Sequence, residues 1–224
     1  MDYYWILVIP ALILSMISQF YVRSTYNKYS KIISRNGFSG SYVATDIMNR
    51  NGIYDVMVRQ IQGQLTDNFS PTEKMVGLSS DVFNSSSIAA IGIAGHEVGH
   101  VTQYYQGYKL ISLRNTIQPV ASFASSAAMP MVLLGLVLGI GVLAEIGIWI
   151  FLAVVIFQLL TLPVEINASR RAIRFIQDNG YLNQDEIPGA KKVLRAAAFT
   201  YLAALLVSLA QFLRLFAIIY NRRK

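Results

Sequence analysis

The chain has 224 residues, of which 54% are hydrophobic and only 14% charged, and it carries a formal net charge of +7 and no cysteine. This composition is too apolar for a typical soluble domain and indicates an integral membrane protein. The absence of cysteine excludes disulfides and thiolate metal sites. Lys and Arg beside a membrane explain the basic balance better than nucleic-acid binding does, so no nucleic-acid partner is predicted.

Four apolar segments are long enough to cross a bilayer, whose hydrocarbon core is about 30 Å thick. They cover residues 3–22, 118–141, 146–164 and 196–220, and the lipid bilayer is therefore a predicted partner. The first segment is preceded by Asp2 rather than by Lys or Arg, which favours an uncleaved anchor over a signal peptide. We expect one membrane domain over residues 1–224.

The second and third spans are predicted to be joined by a tight turn at Gly141–Gly147. Glu145 falls in this stretch, and a carboxylate would be costly at the middle of a bilayer but is easily hydrated in a turn.

Residues 23–115 form the longer of two polar loops between the spans. Within this loop, residues 53–61 and 74–79 are rich in Val, Ile, Tyr or Met and are predicted to be strands. The Gly-, Asn- and Pro-containing stretch 62–71 is predicted to be a turn or loop that joins them into a small β-hairpin.

Both histidines of the sequence lie in the stretch His96-Glu97-Val98-Gly99-His100. A helix-start signal at residues 84–87 and a stop at Gly107 predict a helix over about residues 88–106. Residues four apart lie on one helix face, so both imidazoles can reach one metal ion with Glu97 beside it. Zinc is the metal that this pattern indicates.

The same predicted helix carries Gly92, Gly95 and Gly99, each of which costs about 1 kcal/mol relative to Ala in a helix interior. Access for a ligand would explain this cost, and so would a small-residue face packed against another helix. The sequence leaves both explanations open.

Catalytic zinc takes three protein ligands and keeps one position open for water. A third histidine does not exist, so a carboxylate is needed. Glu165 is the best candidate, because Pro163 would bend or restart the third membrane helix and aim Glu165 back toward the first loop. A solvated role for Glu165 at the membrane boundary is the alternative, and other carboxylates that no spacing rule favours are Glu73, Asp67 and Asp81.

With four spans, residues 23–115 and 165–195 lie on the same side of the membrane. The first loop has nine Lys or Arg and the second has six, which places both in the cytoplasm by the positive-inside rule. The basic tail at residues 222–224 would then lie outside. Either the last apolar segment does not cross the membrane, or the larger loops override the tail.

Two stretches resemble a known family. SSDVFNSSSIAAIGIAGHEVGHVTQ (residues 79–103) and TLPVEINASRRAI (residues 161–173) are similar to the YugP-like neutral zinc metallopeptidases of bacterial membranes. NRNGIYDV (residues 49–56) and QLTDNF (residues 64–69) fit the same family, and the likeness covers about residues 37–174.

This resemblance implies a location in the bacterial cell membrane and specific roles at the site. It implies zinc binding by His96 and His100, catalysis by Glu97 and a third ligand at Glu165.

One stretch departs from the family pattern, since residues 67–71 read DNFSP where the family usually has DHYDP. The segment from Glu165 also resembles the E-x-x-A-D motif of CaaX-processing and HtpX-like membrane proteases, with Ser169 in place of the aspartate. This likeness makes Asn167 and Ser169 candidates for contacting the zinc ligands.

The sequence therefore predicts a mainly α, multi-pass membrane protein with a membrane-apposed zincin-like region that contains a small β-hairpin. The predicted function is zinc-dependent endopeptidase activity on a peptide or protein, which could itself be a membrane protein. Tyr104 and Arg170 are candidate oxyanion donors, although packing or membrane-flanking roles are common for such residues. A zinc-binding but inactive membrane scaffold or chaperone-like protein is the alternative.

Overall fold

The computed structural model describes residues 5–221. Residues 3 and 4 of the first predicted span, and the basic tail at 222–224, lie outside the described residues. In chain order the elements are α1 (Trp5–Tyr29), α2 (Gly40–Arg50), β1 (Met57–Ile61), β2 (Asn68–Ser70), β3 (Met75–Ser79), α3 (Ser80–Phe83), α4 (Ile88–Tyr105), α5 (Lys109–Val137), α6 (Gly141–Asp178) and α7 (Ile187–Asn221).

The mainly α membrane fold is confirmed, because four of these helices are long and apolar enough to cross a bilayer: α1, α5, α6 and α7. Each of them extends beyond at least one end of the span that the sequence predicts, although α5 ends at Val137, before the predicted end at residue 141. A helix does not have to end where its side chains become polar, since its backbone hydrogen bonds are internal. Helix α6 accordingly continues for 14 residues after Val164, the end of the third predicted span.

The third membrane helix does not restart at Pro163. Helix α6 is continuous through Pro163, although proline removes one hydrogen bond from a helix interior. Helix α7 starts at Ile187, so Pro188 and Gly189 lie in its first turn. Proline is compatible with the first turn because that N–H has no partner within the helix.

The chain folds as two compact units. The first consists of the chain up to Gln19, Ser112–Pro163 and the chain from Phe199 onward. The second consists of Phe20–Ile111 and Val164–Ala198. The single functional domain expected over residues 1–224 stays a prediction.

The first unit contains the apolar helical segments. Helices α5 and α6 pack closely in it, because a Cβ on Gly135 would lie 2.3 Å from the backbone nitrogen of Ala144. Their turn covers residues 138–140, where Gly139 has a φ of +72°. The turn predicted at Gly141–Gly147 is therefore wrong by a few residues, and Glu145 lies within α6.

The second unit is built around an apolar core to which α2, β3 and α4 contribute buried side chains. Helix α2 begins after Ser39, whose hydroxyl accepts a hydrogen bond from the Tyr42 N–H. Its apolar stripe is fully buried and consists of Val43, Ala44, Ile47 and Met48.

A three-stranded sheet lies in the second unit, with the strand order β1-β3-β2. The two strands expected from the sequence, β1 and β3, pair parallel, with Met57 opposite Met75. The predicted hairpin between them is therefore wrong, because parallel neighbours need a crossover rather than a turn. A hairpin does exist, but it joins β3 to β2, which lies in the stretch predicted to be a turn or loop. Strand β2 has three residues, too few to show an alternating pattern.

Candidate metal centre

Helix α4 carries both histidines and is almost completely buried. It begins after Ser87, whose hydroxyl accepts a hydrogen bond from the Ala90 N–H at 3.2 Å. It ends at Tyr105, and Gly107 follows with a φ of +66°, a conformation that favours glycine. The helix predicted over residues 88–106 is confirmed to within one residue.

The glycines of α4 allow close approach of other backbones. A Cβ added at Gly99 would lie 2.6 Å from the carbonyl oxygen of Ala168 in α6. A Cβ at Gly95 would meet the Ala172 Cβ at 3.5 Å, one turn farther along α6. Close helix packing thus accounts for these glycines, and it brings the part of α6 that follows Val164 directly against the histidine helix.

This packing brings one carboxylate to both histidines. The Glu165 Oε2 lies 3.2 Å from the His96 Nε2 and 3.5 Å from the His100 Nε2. The candidate ligand atoms of the three residues all lie within 4.8 Å of one another. Glu165 is only 2% exposed, so contacts with the surrounding protein, and not with solvent, fix the position of its carboxylate.

The competing carboxylates lie elsewhere. The Asp67 Oδ1 accepts hydrogen bonds from the Ser79 N–H and hydroxyl, which ties the start of β2 to the end of β3. Burial raises the pKa of the Asp67 carboxyl above its usual range. Asp81 accepts a hydrogen bond from Gln64, and Glu73 is an exposed residue of the β2–β3 turn. Within residues 5–221, the one metal-compatible group of three His, Asp or Glu side chains is His96, His100 and Glu165.

The other ring nitrogen of each histidine also has a partner. The Nδ1 of His100 lies 3.0 Å from the Gln103 Oε1. The amide nitrogen of Gln103 donates to the Val164 carbonyl oxygen at 2.8 Å and to the Asn167 Oδ1 at 3.0 Å. Because the Gln103 amide nitrogen donates both of these hydrogen bonds, the Gln103 Oε1 is the atom that accepts a hydrogen bond from the His100 Nδ1–H. His100 is then protonated at Nδ1, and the lone pair of its Nε2 faces Glu165.

Ser169 orients His96 in the way that Gln103 orients His100, through a contact with the Nδ1 atom. The Ser169 hydroxyl lies 3.1 Å from the His96 Nδ1 and can accept a hydrogen bond from its Nδ1–H. Both Nε2 atoms then present lone pairs to the same point beside a carboxylate, which is the donor set of a His₂Glu zinc site. The residues fit zinc for this reason.

The hydrogen-bond network continues beyond the site. Asn167 also accepts a hydrogen bond from the Arg171 Nε at 2.8 Å, and Arg171 donates to the Gln106 side chain. Asn167 thus contacts Gln103 rather than a histidine, whereas Ser169 contacts His96 directly. Sequence reasoning missed the bridging role of Gln103, although its position three residues after His100 places it on the same helix face.

Glu97 follows His96 on α4 and is 7% exposed. A helix turns about 100° per residue, so Glu97 projects from a different part of the helix surface than the two histidines do. In an H-E-x-x-H site the glutamate at this sequence position is the expected proton acceptor.

The two candidate oxyanion donors have different neighbours. The Tyr104 ring packs edge-on against Phe69 of β2, with ring centroids 5.9 Å apart, and is 45% exposed. Its neighbour Tyr105 donates a hydrogen bond to Asp55 at 2.6 Å. Burial, and then this hydrogen bond, raise the pKa of Tyr105 to about 12. Arg170 is exposed and lines a cavity next to Ser169.

Comparisons with known proteins identify the family of the chain. The family model described as "Putative neutral zinc metallopeptidase" matches residues 4–220. The chain is 46% identical over 217 residues to the "Putative membrane protease YugP" of Bacillus subtilis (strain 168), covering 97% of this chain and 96% of that protein. No solved structure matches the chain. The chain therefore belongs to the family described as "Putative neutral zinc metallopeptidase".

Proposed function

We propose that this protein is a membrane-embedded endopeptidase that uses zinc held by His96, His100 and Glu165. The observation that carries the proposal is the convergence of two imidazole nitrogens and one buried carboxylate, with an outer hydrogen-bond partner for each histidine. A zinc ion that only stabilised the fold would not require the glutamate of an H-E-x-x-H motif beside this donor set.

In this proposal, different residues of the chain have different roles in peptide hydrolysis. Zinc bound at this site would polarise the scissile carbonyl and lower the pKa of an attacking water toward about 7. Glu97 would take a proton from the attacking water and transfer it to the leaving amine nitrogen. Gln103 and Ser169 hold the two imidazoles in the tautomer whose Nε2 is free to bind the ion. Tyr104 and Arg170 stay candidates for stabilising the oxyanion.

Strand β2 is the edge that we propose for binding an extended substrate. It pairs on one side with β3, and no strand among residues 5–221 pairs with its other side. Phe69 of β2 contacts Tyr104 near the end of the histidine helix, so this edge belongs to the same unit as the metal centre. Main-chain pairing along such an edge accepts many side-chain sequences, which suits a peptide or protein substrate.

We further propose that the site faces the cytoplasm. Residues 20–111 and 164–198 fold into one compact unit, which supports their lying on the same side of the membrane. The excess of Lys and Arg in both segments favours the cytoplasmic side. Reporter fusions at residues 60 and 185 should both be cytoplasmic, and an external location of either would contradict the proposal.

The decisive experiment compares purified wild type with Glu97→Gln on an unstructured protein substrate. Wild type should cleave it, and Glu97→Gln should lose at least about 100-fold in rate while keeping its zinc, because only the proton acceptor is removed. Glu73→Gln is the matched control, since Glu73 is exposed on the β2–β3 turn, and it should cleave as wild type does.

Zinc content separates the endopeptidase from an inactive zinc-binding scaffold. Glu165→Ala should lose zinc, because it removes the one carboxylate that reaches both histidines. Full zinc occupancy without cleavage of any substrate by wild type would favour the scaffold. Cleavage that is unchanged in Glu97→Gln would exclude Glu97 as the base.

A further inference from the structure

A cavity of about 380 Å³ lies in the second unit, lined by the part of α6 that follows Val164 and by the start of α7. Three cations line it, Arg170, Lys191 and Arg195, and its lining contains no Asp or Glu. No carboxylate within residues 5–221 forms an ion pair with any of the three. Cations without a compensating acid in a concave surface favour an anionic ligand.

On both helices the cavity residue nearest the apolar run is itself apolar, whereas Ile173 and Leu194 line the cavity farther from that run. On α6, Ile166 comes just after the apolar stretch and Arg170 follows about one helical turn later. On α7, Arg195 directly precedes the apolar run and Ala198 lies within it. The cavity residue of each helix nearest the membrane-spanning sequence is therefore apolar, and an arginine, Arg170 or Arg195, comes about one turn farther from it.

We propose that this cavity binds the phosphate headgroup of an anionic phospholipid, with the upper part of an acyl chain along Ile166 and Ala198. A phosphate group offers several oxygens to several cations, and Arg binds such groups through paired N–H donors. Basic residues at the end of a membrane helix are in the position from which side chains reach lipid headgroups. A soluble phosphate would leave the apolar end unused, and a peptide carboxylate would use fewer of the cations.

The proposed ligand lies next to the metal centre. Ser169 lines the cavity, and its hydroxyl contacts the His96 Nδ1 at 3.1 Å. One side chain therefore separates the lipid site from a candidate zinc ligand, although lipid binding itself requires no peptidase activity.

The test measures lipid binding by native mass spectrometry of the full chain in detergent. Phosphatidylglycerol is titrated against phosphatidylcholine with the same acyl chains, and we expect one phosphatidylglycerol per chain to bind preferentially. Each cation near a headgroup contributes about fivefold in affinity, so the triple variant Arg170→Gln, Lys191→Gln, Arg195→Gln should bind roughly 100-fold more weakly. If the triple variant does not fold, Arg195→Gln alone should bind about fivefold more weakly.

The matched control neutralises three exposed cations outside the cavity: Arg59, Arg174 and Lys192. This control variant changes the net charge by the same amount as the triple cavity variant does. It should bind phosphatidylglycerol as wild type does. Ala198→Phe should weaken binding with all cations retained, because it fills the apolar end of the cavity.

Four results would overturn the proposal. They are an equal loss of binding in the control, equal binding of the two lipids, phosphatidylglycerol binding that Ala198→Phe leaves unchanged while inorganic phosphate competes for the site, and displacement of the lipid by a peptide with a free but not an amidated carboxyl terminus. The third would assign the cavity to a soluble phosphate and the fourth to a substrate carboxylate.

Discussion

Replacing Gly99 by Ala should separate the two halves of the metal centre. The added Cβ would lie 2.6 Å from the Ala168 carbonyl oxygen and 3.1 Å from the Ala168 Cα, both of them backbone atoms that cannot rotate away. Ordinary van der Waals contact begins at 3.4 Å, so α4 and α6 must move apart by about 0.8 Å. Metal–ligand distances tolerate only about 0.2 Å, and Glu165 lies three residues before Ala168 on α6.

We therefore expect Gly99→Ala to lower zinc affinity by at least about tenfold. The cost of overpacking, about 1–3 kcal/mol, is partly offset by the gain of about 1 kcal/mol when Ala replaces Gly in a helix. The net loss in stability is therefore about 0–2 kcal/mol, and zinc affinity is the diagnostic quantity. It is measured on purified protein by competition with a chromogenic chelator.

Gly92→Ala is the matched control, because it makes the same substitution about one turn before His96 on the same helix. Its Cβ would lie 3.4 Å from the Ala190 Cβ, which is ordinary contact. Zinc affinity should be unchanged, and thermal stability should stay equal or rise. Wild-type zinc affinity in Gly99→Ala would refute the claim that helix contact at Ala168 sets the position of Glu165.

Two further substitutions test the contacts around the site and in the fold. Gln103→Leu should weaken zinc binding by about 10–100-fold, because it leaves the His100 Nδ1 and the Val164 carbonyl oxygen without their present partner. Gln106→Leu, one turn farther along and without a histidine contact, should bind zinc as wild type does; equal losses in the two variants would contradict the role of Gln103. Tyr181→Phe should cost about 1 kcal/mol in the free energy of unfolding at neutral pH, because it removes the hydrogen bond that the Tyr181 hydroxyl donates to the Asp46 carboxylate. That hydrogen bond, with the contribution of Arg50, holds the pKa of Asp46 below its usual value, so the stabilisation is present above about pH 4 and fades as the pH falls through the lowered pKa. Chemical unfolding at pH 7 and pH 3 checks this, and a difference between variant and wild type that is larger at pH 3 would show that the sign is wrong.

Local sequence patterns predicted the histidine helix almost to the residue. Ser87 caps it, Gly107 ends it, and the spacing of His96 and His100 places both imidazoles on one face. These signals act within one or two turns of the chain, so they can be read without knowing what packs nearby.

The small sheet shows where local patterns fail. Strands β1 and β3 were recognisable by composition, but composition does not determine whether two strands run parallel or antiparallel. The pairing depends on β2, a three-residue strand that is held to β3 by backbone hydrogen bonds and by the contact of Asp67 with Ser79. Such contacts appear only when the chain is folded.

By itself the sequence determined the class of protein, the four apolar segments and the two-histidine half of the site, because hydropathy and helical spacing are properties of contiguous residues. The tertiary structure alone showed that Glu165 meets both histidines and that Gln103 and Ser169 orient them. That part depends on how closely two helices approach. The approach is set by Gly99 against Ala168, a contact between residues 69 positions apart in the chain.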